Sequence, residues 1–225
     1  VRCALDAMSD FDTAWALTVC HHAAVAVRQL HSAGVAHQDV KPSNLLTFSE
    51  WLAKLGDLGR CSQRGTSAPH DREIVRGDPT YAPPELLYGR IDPDWSVRCQ
   101  ACDWYLLGSL ILFIFTRTQT TAELIRRIPE GIRPDPLGEP FETALPYLVN
   151  AFDELCEDLE IQLEGVLATE LVRHVRSLCN PDPAERGDPI QRRNGKNPYD
   201  LQRIISRLDV LAREARGGYL QKRPR

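Results

Sequence analysis

The chain has 225 residues, 43% hydrophobic and 26% charged, with a net charge of −4. That composition suits a globular protein with an apolar core, in one domain or two small ones, and its acidic balance supplies no global field for nucleic acid. Seven cysteines, an odd number at irregular spacing, argue for reduced thiols in a cytoplasmic protein and against a disulfide framework.

Ser9-Asp10-Phe11-Asp12 reads as a helix start, with an acidic residue three positions after a Ser cap. From Phe11 to Leu30 the chain is apolar on most faces, which predicts a buried helix stopped by Gly34. Such a helix would give a rigid mount to whatever follows it. His21-His22 lie on it; adjacent helical residues do not face the same way, so packing is expected over metal binding. Leu45–Phe48 and Leu52–Leu55 predict two short strands around a turn. Residues 60–77 are polar and without periodicity, which predicts a loop. A short helix ending at Gly89 follows.

Residues 102–116 predict a core helix. Its longest apolar run, 106–115, is shorter than the roughly 20 residues that span a bilayer, so no membrane span is expected; nor does a signal-peptide pattern open the sequence. Cys99-Gln100-Ala101-Cys102 has CxxC spacing, but no second pair completes a zinc site, and two packed thiols are expected. Thr120-Thr121-Ala122-Glu123 predicts a capping box and a helix ended by Pro129. Four prolines and two glycines make 129–140 a loop. Helices are predicted over 146–159 and 166–179. Residues 187–197 read as a polar, basic loop. Arg192, Arg193 and Lys196, like the tail Lys222-Arg223-Pro224-Arg225, are either solvated charge or a dock for an acidic partner. Tyr199 to Arg216 predicts a last amphipathic helix, with Leu201, Ile204, Ile205, Leu208 and Leu211 on one face. Helices outnumber strands, so the fold class is mainly α.

The chemistry concentrates in His37-Gln38-Asp39-Val40-Lys41-Pro42-Ser43-Asn44-Leu45-Leu46. An Asp, a Lys two positions on and an Asn three beyond suit phosphoryl transfer: a carboxylate to take a hydroxyl proton, an ammonium to neutralise the moving phosphate, an amide oxygen to help hold Mg²⁺. Lys54-Leu55-Gly56-Asp57-Leu58-Gly59 adds a second carboxylate, and Mg²⁺ takes one or two carboxylates plus phosphate oxygens. Asn44 and Asp57 would be the protein's share.

These motifs resemble the catalytic loop and the Asp-Phe-Gly motif of eukaryotic-type protein kinases. Lys41 resembles the Ser/Thr-specific branch. Pro79-Thr80-Tyr81-Ala82-Pro83-Pro84-Glu85 resembles the Ala-Pro-Glu end of the activation segment, and Asp103-Trp104-Tyr105-Leu106-Leu107-Gly108 the start of the family's central helix. The resemblance implies a protein-kinase-like C-terminal lobe over 1–216, a helical bundle with a short β-hairpin, followed by a basic tail over 217–225. It implies ATP and Mg²⁺ as cofactors and a protein substrate. Asp39 would accept the substrate proton, Lys41 would stabilise the γ-phosphate, Asn44 and Asp57 would bind Mg²⁺, and Leu46 would touch the adenine. Glu85 and Arg186 would form a buried ion pair, and Asp103 would anchor the catalytic-loop backbone. His37 would pack beneath that loop.

Four departures qualify the resemblance. Gln38 stands where many kinases carry an Arg that meets a phosphorylated loop, so activity is expected not to require loop phosphorylation. Leu58 replaces Phe as an apolar plug. Asp78 replaces a Thr; it would pair with Lys41 but repel Asp39. Neither a glycine-rich phosphate loop nor a Val-Ala-x-Lys strand is found in these residues, so the smaller N-terminal lobe is expected to come from outside them. The segment 129–165 is longer than the family's usual connection. Two other readings stay open: a pseudokinase scaffold, and a small-molecule kinase of the aminoglycoside-phosphotransferase type.

Overall fold

The computed structural model describes residues 9–49, 51–162 and 165–220. Cys3 and the tail residues 221–225 lie outside the described residues. Helix α1 (Asp10–Ser32) begins at the expected cap. The Ser9 Oγ accepts from the Asp12 N–H at 3.1 Å, and the Asp12 carboxylate accepts from the Ser9 N–H at 3.3 Å. Small residues on its buried face (Ala14, Ala16, Ala23, Ala24) let α8 (Gln202–Arg216) pack closely along it. Gly34, at φ +71°, turns the chain out of the helix into β1 (Val35–Ala36).

The predicted hairpin forms. β2 (Leu45–Ser49) and β3 (Leu52–Leu55) pair antiparallel, with Leu45 opposite Leu55 and Leu46 opposite Lys54. Imidazole nitrogen Nδ1 of His22 accepts the Ala53 N–H at 3.2 Å and pins the hairpin to α1. His21 Nδ1 sits 3.2 Å from the Ile205 carbonyl on α8. The two imidazoles thus serve packing on opposite neighbours.

Residues 60–77 are more ordered than their composition predicts. β4 (Ser62–Gln63) pairs antiparallel with β1, Ala36 opposite Ser62, and a 3-10 turn spans Pro69–Arg72. Polar side chains hide this order from a hydrophobic-pattern reading, because the segment is held by hydrogen bonds. Helix α2 (Pro84–Leu87) is followed by Gly89 at φ +74°.

Helix α3 (Ala101–Thr116) is the core of the molecule, led in by a π-helical turn over Ser96–Gln100. Trp104, Tyr105, Leu107, Leu110, Ile111 and Phe115 on it are fully buried or nearly so. The whole stretch Ser96–Thr116 is long and apolar enough to cross a membrane, but 83% of its apolar window is buried inside the protein. Helix α4 (Thr120–Arg127) starts one residue earlier than a Thr120 cap requires. Gln119 occupies the cap position, and Thr120 and Thr121 are buried, with the Thr121 hydroxyl donating to the Ala82 carbonyl at 2.9 Å. Tertiary contacts have taken the hydroxyls that a capping box would use.

Helix α5 (Phe141–Gln162) begins five residues before the predicted start at Pro146, which sits inside it. Proline costs one backbone bond near a helix start, and burial of Phe141, Ala144 and Leu148 against the core offsets that loss. α5 fills most of the long 129–165 segment and packs on α4 and on α6 (Gly165–Leu178). The basic stretch expected to be a loop contains α7 (Pro189–Arg193), whose first N–H groups at Ile190 and Gln191 are capped by the Asp188 carboxylate at 2.8 and 3.2 Å. Asn197 and Pro198 precede α8 as expected, but Asn197 caps a turn by accepting from the Tyr199 N–H, and the helix proper starts at Gln202.

Candidate active site

The catalytic stretch lies between the end of α1 and the start of β2. Its mount is Asp103, wholly buried in the first turn of α3. One oxygen of Asp103 accepts the His37 N–H at 2.7 Å, and the other accepts the Gln38 N–H at 2.7 Å. His31 Nε2 lies 2.9 Å from the first oxygen. Two backbone donors on one buried carboxylate fix the loop as charge-assisted bonds do. Gln38 is thereby held in the left-handed region at φ +66°, a strained conformation for a residue with a Cβ. His37 is fully buried beneath the loop, with Nε2 3.0 Å from the Gly56 carbonyl, and so joins the Asp39 loop to the Asp57 loop.

Asp39 is 7% exposed and both its carboxylate oxygens are occupied. Oδ1 accepts the backbone N–H of Asp78 at 2.9 Å. Oδ2 accepts from the Asn44 Nδ2 at 3.0 Å and lies 3.1 Å from Lys41 Nζ. Asn44 Nδ2 donates also to the Asp39 carbonyl at 2.8 Å, so its amide oxygen is left for another partner. A 3-10 turn over Pro42–Asn44, started by proline, carries Asn44 to the head of β2. Asp57 is exposed at the far end of β3, in the left-handed region at φ +58°, and accepts the Gly59 N–H at 3.3 Å. The hairpin register brings Asn44 opposite Gly56, the residue before Asp57: the Gly56 N–H donates to the Asn44 carbonyl at 2.8 Å. The Leu46 side chain lies over Gly56 and is half exposed.

Asp78 does what its sequence position predicts toward Lys41, at 3.6 Å. Toward Asp39 it acts through its N–H, and its carboxylate turns away to accept the Thr80 N–H and hydroxyl at 3.0 and 2.7 Å. The Thr80 hydroxyl, with Lys41 behind it, holds the Asp78 carboxyl below its ordinary value. Burial pulls Lys41 down, but the carboxylates of Asp39 and Asp78 outweigh it and raise its pKa. Thr80 was not singled out by any motif reading; only the fold shows its role.

Arg76 is the other residue that the sequence did not reveal. It is 3% exposed in a segment read as loop. Its Nη1 donates to the Gln38 Oε1 at 3.1 Å, its Nη2 to the Asp71 carbonyl at 3.2 Å, and its Nε lies 3.4 Å from the Asp71 carboxylate. Gln38 Nε2 donates in turn to the Cys99 carbonyl at 2.9 Å. Asp71 accepts from the Ser62 hydroxyl and, at 2.8 Å, from the Ala68 N–H. Burial pushes the Asp71 carboxyl up; the Ser62 hydroxyl, the Ala68 N–H and Arg76 together outweigh it and bring it down. Leu58, expected as an apolar plug, is 57% exposed, in the 3-10 turn that follows the left-handed Asp57.

Glu85 and Arg186 meet as expected, in a bidentate pair at 2.6 and 2.9 Å, with Arg186 fully buried. The guanidinium also donates to the Asn180 and Ala101 carbonyls. Cys99 and Cys102 are buried free thiols. Among the described residues no cluster of three His, Cys, Asp or Glu side chains suits a metal ion.

Comparison with known proteins finds serine/threonine-protein kinases among the relatives. Rice serine/threonine-protein kinase/endoribonuclease IRE1 is 29% identical over 162 residues, 70% of this chain and 15% of that protein. Human serine/threonine-protein kinase MRCK gamma is 34% identical over 84 residues, 37% of this chain and 5% of that protein. Rabbit Rho-associated protein kinase 1 is 31% identical over 103 residues, 45% of this chain and 8% of that protein. The aligned stretch is thus a small part of each relative's length. The family model for the protein kinase domain matches residues 5–188. The chain belongs to the protein kinase domain family.

Proposed function

We propose that residues 1–216 are the larger, helical lobe of a Ser/Thr protein kinase, that 217–225 form a basic tail, and that the lobe works with a smaller lobe supplied from outside these residues. Its reaction would be transfer of the γ-phosphate of Mg-ATP to a Ser or Thr hydroxyl of a protein. The observation that carries this reading is the fixation of Asp39: each carboxylate oxygen is held by a donor from a different segment. A carboxylate so oriented is ready to position a hydroxyl and take its proton as the bond to phosphorus forms.

The donor set fits Mg²⁺. Asn44 keeps its amide oxygen free of the Asp39 contact, and Asp57, the residue after Gly56, offers an exposed carboxylate; hard oxygens of this kind, completed by phosphates and water, suit the ion. When bound, the ion neutralises charge on the phosphates. Lys41 would meet the γ-phosphate from the Asp39 side. Leu46 and Leu58, both exposed next to Asn44 and Asp57, suit cover by adenine and by the smaller lobe. Six described cysteines are free and five of them buried, which suits a reducing, cytoplasmic compartment.

One observation favours the scaffold reading: Lys41 already has two carboxylates for company before any phosphate arrives. The test uses the polypeptide extended upstream to include the smaller lobe, incubated with γ-labelled ATP and Mg²⁺ on a basic protein, followed by phosphoamino-acid analysis. Label on Ser and Thr is expected. Nucleotide binding without label would support the scaffold; label on an aminocyclitol offered in a parallel reaction, with none on the protein, would support the small-molecule kinase.

A further inference from the structure

The basic stretch around Arg192 and Arg193 is not an isolated solvated loop. It forms one wall of a cavity of about 820 Å³ on a face built from α6, α7 and α8. Six arginines line it: Arg173 and Arg176 from α6, Arg192 and Arg193 from α7, Arg203 and Arg207 from α8. Two carboxylates line it with them, Glu185 and Asp188. In a chain of net charge −4 this is a local concentration of cations. The volume lies in the range, about 300–1,000 Å³, typical of occupied sites.

The arginines are not idle. Arg173 and Arg207 pair with Glu170, Arg176 with Asp153 and Glu160, Arg192 with Glu185, and Arg203 with Asp188. Arg193 donates its Nε to the Pro189 carbonyl. The exposed pairs, of Arg176 and of Arg192, are worth only about 0–1 kcal/mol each, whereas the Glu170 and Asp188 side chains are only 12% and 8% exposed. Each guanidinium has five donors, so an incoming carboxylate can join the internal ones without displacing them.

The rest of the lining is apolar. Ile190 and Val210 are each about two-fifths exposed, at 41% and 42%, with Pro189 and Ile204 beside them. The two rings at the site, Trp104 and His174, are 1% and 6% exposed, so no ring face is offered for stacking a nucleobase. Cations around an apolar strip match a peptide that carries carboxylates around apolar side chains.

We infer that this groove docks an acidic peptide segment of a partner or substrate protein, with apolar residues seated on Ile190 and Val210 and carboxylates on the arginine wall. The groove is built from elements other than those that carry Asp39, Asn44 and Asp57, so docking here would tether a protein without blocking the site of transfer.

Fluorescence anisotropy with a labelled glutamate-rich peptide carrying spaced leucines tests this. The assay needs neither nucleotide nor phosphotransfer, so its result stands apart from the kinase reading. Saturable binding is expected, weakened about tenfold or more by combined Arg173→Glu and Arg193→Glu, which change exposed side chains. Ile190→Ser is expected to weaken it several-fold, as is replacing the peptide's leucines by serine. Raising ionic strength from about 0.1 M to about 1 M, which cuts the Debye length from about 10 to about 3 Å, is expected to weaken it too. Absence of saturable binding, equal binding by the arginine variants with unchanged melting temperature, or equally tight binding of single-stranded DNA that ignores Ile190→Ser would each overturn the inference.

Discussion

At the scale of single residues, Asp78 decides how well the site can work. Its N–H holds Asp39 in place, a service that any residue but proline could give, while in the proposed reaction its carboxylate would compete with an incoming phosphate for Lys41. Asp78→Thr keeps the N–H, removes the competitor and is expected to raise turnover several-fold; a turnover that stays level or falls would contradict this. The carboxylate also leaves a mark on folding. Its pKa is lowered below 3.8 in the folded protein, so its contribution to stability is complete above that value and is lost as pH falls through the lowered one. Asp71, lowered as well, behaves in the same way. Melting temperature measured from pH 3.8 downward is therefore expected to fall less steeply in Asp78→Asn than in the parent. The meeting of Asp39, Lys41 and Asn44 was legible because their spacing is itself the motif. Thr80 and Arg76 were not, since their roles depend on which backbone they fold against.

At the scale of elements, the segment from β4 to Gly77 is anchored on the catalytic loop by neutral and internal partners. Arg76 reaches Gln38 and Asp71 and so orders the chain without a phosphate. Phosphatase treatment is expected to leave the rate unchanged, and a large loss would refute this. Close approach matters at the end of this segment. A Cβ on Gly77 would sit 2.4 Å from the Gln38 carbonyl oxygen and 2.7 Å from the Asp39 carboxylate. Gly77→Ala is thus expected to cost about 1–3 kcal/mol, typical of overpacking, and to reduce activity beyond the loss of stability, because the clash falls on Asp39 itself. Chemical denaturation alongside a rate assay separates the two. Helices α1, α3 and α8 were legible from apolar pattern and from the Ser and Gly punctuation of α1, whereas Asn197-Pro198 marked a turn ahead of the true start of α8. β4, α7 and the first turn of α5 were not, because hydrogen bonds, an Asp cap and tertiary burial outweighed local composition.

At the scale of the whole molecule, Glu85 and Arg186 join positions 101 residues apart and close the segment after the catalytic loop onto the helical core. Removing one partner strands a buried charge, which costs about 3–5 kcal/mol against a total stability of about 5–15 kcal/mol. Glu85→Ala is expected to lower the melting temperature by roughly 6–20 °C, at about 2–4 °C per kcal/mol for this size; a shift of a degree or two would show that the pair carries little. The mainly α class was readable from the count of helical patterns, whereas the basic groove was not, since it joins arginines from three elements. The account as a whole rests on Asp39 as the group that receives the substrate proton. The most direct measurement is kcat for Asp39→Asn beside the parent, in polypeptide that includes the smaller lobe, with nucleotide affinity measured in parallel. A loss of about 10²–10⁴ in kcat with nucleotide affinity retained is the expected result. Equal kcat in the two proteins would contradict it.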